Sequence, residues 1–271
     1  MLRPRVIPCL LMYDNALVKT VQFKDSKYVG DPINAVKIFN EKEADELIVL
    51  DIGATSKSTK PNFNLIKKLA AECRMPLCYG GGITSADQAI QLVDIGVEKV
   101  AISSAAISKP SMVKEFVSAV GGQSIVVILD VFKNKKTFST NYEVRSHNGN
   151  NLCKDNIFSL IKTFQDLGVG EIVINSIDRD GLMQGYDLEL VSKIKPISTI
   201  PFTFLGGAGS LEHIKELFDN FGIVGASAGS LFVFKGKYRA VLINYPPRNE
   251  KIAICENAKS GHMFEGKNVG K

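Results

Sequence analysis

Three groups of residues have the types and spacing that chemistry needs. Carboxylates stand at the ends of short apolar runs: Asp51 after IVL, Asp130 after VVIL, and Asp178 with Asp180 in SIDRDG. A carboxylate in such a place serves as general acid or base where burial raises its pKa. Asp130, set among apolar neighbours, is the foremost candidate, while capping a following helix is the better reading for at least one of Asp178 and Asp180. Lys19, in a long polar stretch after the first apolar run, is placed either to fold over a bound ligand or to sit in solvent.

The second group is glycine-containing turns that follow apolar runs: GGG at 80–82, GGAG at 206–209 and SAGS at 227–230. Glycine lets backbone N–H groups approach an anion, and a following helix N-terminus adds partial positive charge. Two sets form, Gly81, Gly82, Ser103 and Ser104 in one, Gly206, Gly207, Gly229 and Ser230 in the other. They suit an elongated ligand phosphorylated at both ends; purely structural turns are the other reading. The third group is Arg5, Glu46, Lys99 and Glu171, each immediately before an apolar run. Two positive and two negative side chains there either close the bottom of a barrel as a ring of ion pairs or form ordinary surface charge.

Eight β-branched runs could position these residues: 6–10, 47–52, 77–80, 100–103, 125–130, 172–175, 202–205 and 224–227. Helical patterns separate them, which implies parallel strands joined by right-handed crossovers. Eight such units in 271 residues predict an α/β fold, a single (β/α)8 TIM barrel over 1–245. The sequence also repeats itself. Gly81 matches Gly206, Leu92 matches Leu217, Glu46 matches Glu171, and Leu11 falls opposite Asp130, so two half-barrels are expected. Long insertions follow the first and fifth runs, and KTFSTNYEV in the second reads as a small hairpin. The polar stretch 246–271 has no clear period and is expected to be a flexible tail.

Composition narrows the function. A net charge of +5 with acids and bases interleaved is no nucleic-acid groove, and no apolar run is long enough to span a membrane. Five scattered cysteines without a CxxC pair read as reduced thiols of a cytoplasmic protein. Three histidines stand at no ligand spacing, so neither a metal site nor a cofactor is expected.

The motifs IPCL, GDP at 30–32, ELIVLDI, GGGI, SIDRDG…GYD, GGAG and AGSLF resemble the HisF family, the cyclase subunit of imidazole glycerol phosphate synthase in histidine biosynthesis, over about residues 1–245. The resemblance implies a barrel paired at its N-terminal face with a glutaminase, whose ammonia crosses the barrel to a bisphosphorylated ribulosyl carboxamide ribotide. The products are imidazole glycerol phosphate and an aminoimidazole carboxamide ribotide. By the same resemblance Gly81, Gly82, Gly206, Gly207 and Ser230 bind phosphate, Asp130 is one of two catalytic aspartates, and Lys19 is a loop lysine. Arg5, Glu46, Lys99 and Glu171 form the ammonia gate. The sequence departs from the family at the other aspartate, which is Leu11 here; a remaining cyclase would lean on Asp130 with Asp51 or Asp180. The phrases PCLL, KYVGDPINA, FNEKE and SLFVFKGKYRAVLI resemble a paralogous branch linked to surface polysaccharides. There the barrel is thought to supply ammonia to a sugar amidotransferase that builds acetamidino groups.

Overall fold

The computed structural model describes residues 3–136, 139–256 and 258. Eight parallel strands close on themselves: β1 (Arg5–Tyr13), β2 (Leu47–Asp51), β3 (Leu77–Gly80), β4 (Lys99–Ile102), β5 (Ile125–Lys136), β6 (Glu171–Ser176), β7 (Phe202–Leu205) and β8 (Gly225–Ala228). Strand β8 pairs with β1 from Arg5↔Gly225 to Pro8↔Ala228, and β6 pairs with β5, which completes the cylinder. The expected (β/α)8 barrel is thus the observed one.

Helices α1 (Pro32–Glu41), α2 (Phe63–Glu72), α3 (Ala86–Asp94), α4 (Ser111–Val120), α5 (Ile157–Asp166), α6 (Leu188–Ile194) and α7 (Leu211–Phe221) cover the outside. Their starts are written in the sequence: Asp31, Asn62, Ser85, Asn156, Asp187 and Ser210 each accept a backbone N–H of the first turn, as polar N-caps do. Alternate strand residues point outward into a Val, Ile, Leu and Phe layer beneath these helices. The others point inward, where Ile7, Cys9, Ile48, Cys78, Ala101, Val126, Ile128, Val173 and Leu205 form a separate apolar column along the axis.

Two expectations are corrected. The stretch after β1 is an antiparallel hairpin, Ala16–Val21 against Lys24–Gly30, with Ala16–Val18 also pairing back on Tyr13–Leu11. Lys19 therefore lies in a strand and is buried. The presumed tail contains a helix, α8 (Arg248–Glu256), packed on α7 with Lys251 and Ile254 buried. Its charged residues hold it: Lys251 Nζ reaches Asp45 Oδ1 at 2.9 Å and the Glu43 carbonyl at 2.7 Å. This helix has only a narrow apolar face, so its sequence lacks the period that marked the others. The rest of the expected tail, 257 and 259–271, lies outside the described residues. The second insertion is the expected hairpin, with β5 running on to pair with Ser139–Ser146. The two hairpins leave β1 and β5, the equivalent strands of the two half-barrels.

Candidate functional site: a charged floor and a cavity at the mouth

At the N-terminal ends of the strands the four predicted charges form a closed ring. Arg5 Nη1 lies 2.5 Å from Glu46 Oε2, Lys99 Nζ is 2.8 Å from Glu46 Oε1 and 2.8 Å from Glu171 Oε2, and Arg5 Nη2 is 2.7 Å from Glu171 Oε1. The carboxylates are buried and the cations partly so. Burial works against the charges, but the opposite partners outweigh it: Arg5 and Lys99 are raised and Glu171 is lowered. Thr203 belongs to this layer, its hydroxyl donating to Glu171 Oε1 at 2.5 Å. Sequence reasoning missed it; the signal was a polar residue inside the otherwise apolar strand FTFL. Gly225 leaves the room, since a Cβ there would stand 1.9 Å from Thr203 Oγ1.

Above the ring the axis carries no charge until the mouth. Burial pushes the Cys9 thiol up to about 12 and that of Cys78 well above its ordinary value, so both are neutral. At the top Asp130 faces a cavity of about 590 Å³. Burial raises its carboxyl to about 7, partly offset by Asn175, whose Nδ2 donates to Asp130 Oδ1 at 2.8 Å. Leu11 lines the same cavity, so the position that mirrors Asp130 offers neither proton donor nor acceptor.

The cavity gathers Asp51, Gly81, Gly82, Ser103 and Ser104 around Asp130. Burial raises the Asp51 carboxyl, and Oδ1 accepts the Gly53 and Ala54 N–H groups, so this residue shapes the β2 turn. Gly81 must be glycine: its φ is +122° and a Cβ would meet the Asp51 carbonyl at 2.4 Å. Ser103 Oγ is buried without a hydrogen-bond partner among the described residues, in a residue that lines the same cavity as the glycine turn. The turn after the second hairpin strand roofs this side. The His147 N–H donates to Ser104 Oγ at 3.0 Å and Asn148 Nδ2 donates to the Ile52 carbonyl at 2.8 Å. Both residues have left-handed backbones, and neither was singled out in the sequence.

The second glycine set stands apart from this cavity. Gly206 and Gly207 pack on Ser176 and Gly185, and a Cβ on Gly207 would meet the Gly185 carbonyl at 2.1 Å. Ser230 Oγ, like that of Ser103, is buried without a partner among the described residues. The first hairpin covers Gly229 of this set: Lys19 lies against it, with Cε 2.9 Å from where a Cβ would be. Its Nζ donates to Asp180 Oδ1 at 2.7 Å, and Thr20 Oγ1 donates to Asp180 Oδ2 at 3.0 Å. Asp180 thus anchors the hairpin rather than facing the cavity. Asp178 accepts the Lys133 N–H from β5. The predicted residues resolve into a floor ring, one open cavity containing Asp130, and a covered second turn.

A family model described as histidine biosynthesis protein matches residues 5–239. The chain belongs to that family. Several of its relatives carry the name HisF. A protein of Leptospira borgpetersenii, provisionally named imidazole glycerol phosphate synthase subunit HisF, is 56% identical over 94% of this chain and 99% of its own length. A similarly provisional second HisF of Pseudomonas aeruginosa is 48% identical over 92% of this chain and 98% of its own. The imidazole glycerol phosphate synthase subunit HisF of Streptococcus mutans is 34% identical over 86% and 91%. This HisF-type barrel has a floor ring of Arg5, Glu46, Lys99 and Glu171, and Leu11 lines the cavity that Asp130 faces. Among the described residues no helix is long and apolar enough to cross a membrane.

Proposed function

We propose that this HisF-type barrel is a subunit of an imidazole glycerol phosphate synthase-like system that takes ammonia from a glutaminase at its floor and delivers it to a phosphorylated ligand at its mouth. The closed ring of alternating charges over an apolar axis carries the reading. An ammonium ion would have to leave water for a column of Ile, Val, Cys and Ala, a transfer far costlier than that of neutral ammonia. Lys99 is the member suited to swing aside, a point charge on a flexible stem, whereas the planar Arg5 fork is fixed by two carboxylates. At the mouth Gly81, Gly82, Ser103 and Ser104 would hold one phosphate, and Gly206, Gly207, Gly229 and Ser230 the other once the first hairpin lifts. The family reaction then joins ammonia to a bisphosphorylated ribulosyl carboxamide ribotide, with Asp130 as its proton carrier.

Leu11 favours a second reading for that last step. With one acid of the pair missing, cyclisation is slow, and ammonia goes instead to a sugar amidotransferase that forms acetamidino groups for surface polysaccharide. The relatives support this branch: those with provisional names are 48–56% identical, and the HisF subunits compared with plain names only 32–35%.

The experiment combines the purified barrel, ammonium chloride and the bisphosphorylated ribotide, alone and with a glutaminase subunit from the same genome. Binding of the glutaminase and faster glutamine hydrolysis in the complex are expected under both readings. Rapid consumption of the ribotide selects the cyclase, and its absence selects the conduit. A barrel that binds no glutaminase and no ribotide overturns both.

A further inference from the structure

The floor ring has an outer support that the proposed function does not use. Strand β2 begins pairing with β1 only at Cys9↔Ile48, so below that point the β1 backbone faces no strand on that side. Val6, next to Arg5, fills the gap with side chains. Its N–H donates to Asp45 Oδ2 at 3.0 Å, and its carbonyl accepts the Tyr245 hydroxyl at 2.8 Å. The same Tyr245 oxygen accepts the Asp45 N–H at 3.3 Å, while Lys251 Nζ donates to Asp45 Oδ1 at 2.9 Å. Asp45, Tyr245 and Lys251 are all buried. The brace therefore grips one backbone next to Arg5 and another next to Glu46, the pair with the shortest contact in the ring.

We propose that Tyr245 and Lys251 are positioning residues of the ring: through Asp45 and Val6 they set the Arg5–Glu46 pair, so the C-terminal segment made of Tyr245 and helix α8 determines how the floor closes. Tyr245 acts on the Val6 and Asp45 backbones directly, and Lys251 acts through the Asp45 carboxylate that holds the Val6 N–H. A missing strand ladder would otherwise leave Val6 and Asp45 free to part, and a displacement of a few tenths of an ångström opens a charge-assisted contact of this length. Arg3 adds a contact of 3.3 Å to the same Asp45 oxygen that holds Lys251. The brace thus reaches the floor surface, on which a docked protein would press. That it regulates ammonia entry rests on the function proposed above; that it sets the ring does not.

The test reads the ring directly. In the full chain, grown with lysine labelled with carbon-13 and nitrogen-15 and left chemically unmodified, the Lys99 Cε–Nζ signal, assigned by its loss in Lys99→Arg, is titrated by NMR. In the unaltered protein Lys99 titrates above an ordinary lysine because Glu46 and Glu171 hold it. In Tyr245→Phe, which keeps the ring packing on Phe39 and Phe232, its midpoint falls by about one pH unit, a tenfold loss of proton affinity. Lys251→Met gives the same direction. A Lys99 midpoint unchanged in folded Tyr245→Phe overturns the proposal, whatever the fate of Lys251→Met. Glutamine hydrolysis by the bound glutaminase separates the two levels. If Lys99 shifts while hydrolysis stays at its unaltered rate, the brace stands and the ammonia path falls.

Discussion

Asn175 and Asp130 lie side by side on β6 and β5, joined by one hydrogen bond of 2.8 Å, while the Asn175 Oδ1 has no partner among the described residues. The single N–H offsets only part of the desolvation that burial imposes on the Asp130 carboxyl, which titrates near 7. Because the folded value exceeds the unfolded one, folding takes up a proton between about pH 4 and pH 7, and stability falls as pH rises through that window. The whole shift would correspond to about 4 kcal/mol, and contact with cavity water reduces this to about 1–2 kcal/mol. Asp130→Asn is therefore expected to stabilise the protein at pH 8 by that amount and to be neutral at pH 4, as read from urea unfolding at the two pH values.

Leu11 occupies the mirror position of Asp130, so restoring a carboxylate there is the direct test of what was lost. Leu11→Asp should raise ammonium-driven consumption of the bisphosphorylated ribotide by about 10²–10⁴-fold, the usual contribution of a positioned acid or base. It should also push the Asp130 midpoint upward, because two carboxylates share one mouth. Turnover that stays at background in a folded Leu11→Asp, with the Asp130 midpoint unmoved, would show that the two positions do not act on one site.

The barrel was legible because most strands are short apolar runs and six of the seven outer helices open on a polar cap, both local signals. The floor ring was legible as four charges at strand starts, although their closure into alternating pairs depends on strands up to about 170 residues apart in the chain. What stayed hidden is held by distant partners. The first hairpin has few apolar residues and is fixed by Asp180, some 160 positions away. Helix α8 is fixed by Glu43 and Asp45, about 206 positions away. The covering of Gly229 by Lys19 follows from that hairpin and from nothing near either residue in sequence.

The two glycine sets should respond differently to a single methyl. At Gly81 the Cβ would strike backbone at 2.4 Å, with φ at +122°; at Gly229 it would meet the far end of Lys19 at 2.9 Å and, less tightly, the Cys9 carbonyl at 3.2 Å. Gly81→Ala is expected to destabilise the protein by about 1–3 kcal/mol and to weaken inorganic phosphate binding at least about tenfold, as measured by calorimetry. Gly229→Ala should cost less than Gly81→Ala, since the Gly229 φ is −101° and the Lys19 methylenes can give by a few tenths of an ångström while Nζ stays on Asp180. Equal losses at both positions would contradict this account of the turns.

Asp180 holds the first hairpin through Lys19, Thr20 and the Phe23 N–H. Asp180→Ala leaves the buried Lys19 ammonium without its carboxylate, a loss of about 3–5 kcal/mol in the contacts that seat the hairpin. Protease cleavage between 22 and 28 should accelerate at least tenfold, with the barrel strands remaining protected from hydrogen exchange. Uniform loss of protection across the barrel would mean that Asp180 supports the fold as a whole.

The ring makes a prediction whose sign depends on pH. Glu171 is held below the ordinary carboxylate value and Lys99 above the ordinary lysine value. The ring's stabilisation is therefore present between those ordinary values. It fades as pH falls through the lowered Glu171 midpoint or rises through the raised Lys99 midpoint. Lys99→Met leaves Glu46 and Glu171 facing Arg5 alone, two buried carboxylates against one cation. A loss of about 3–5 kcal/mol is expected at pH 8. Lowering the pH to 5 should shrink that deficit, because one carboxyl of the variant takes up a proton that the intact ring excludes. Urea midpoints at pH 5 and pH 8, in low salt and in about 1 M salt where exposed pairs are screened, decide the matter. A deficit that is constant in pH and abolished by salt would describe four surface charges, not a buried ring.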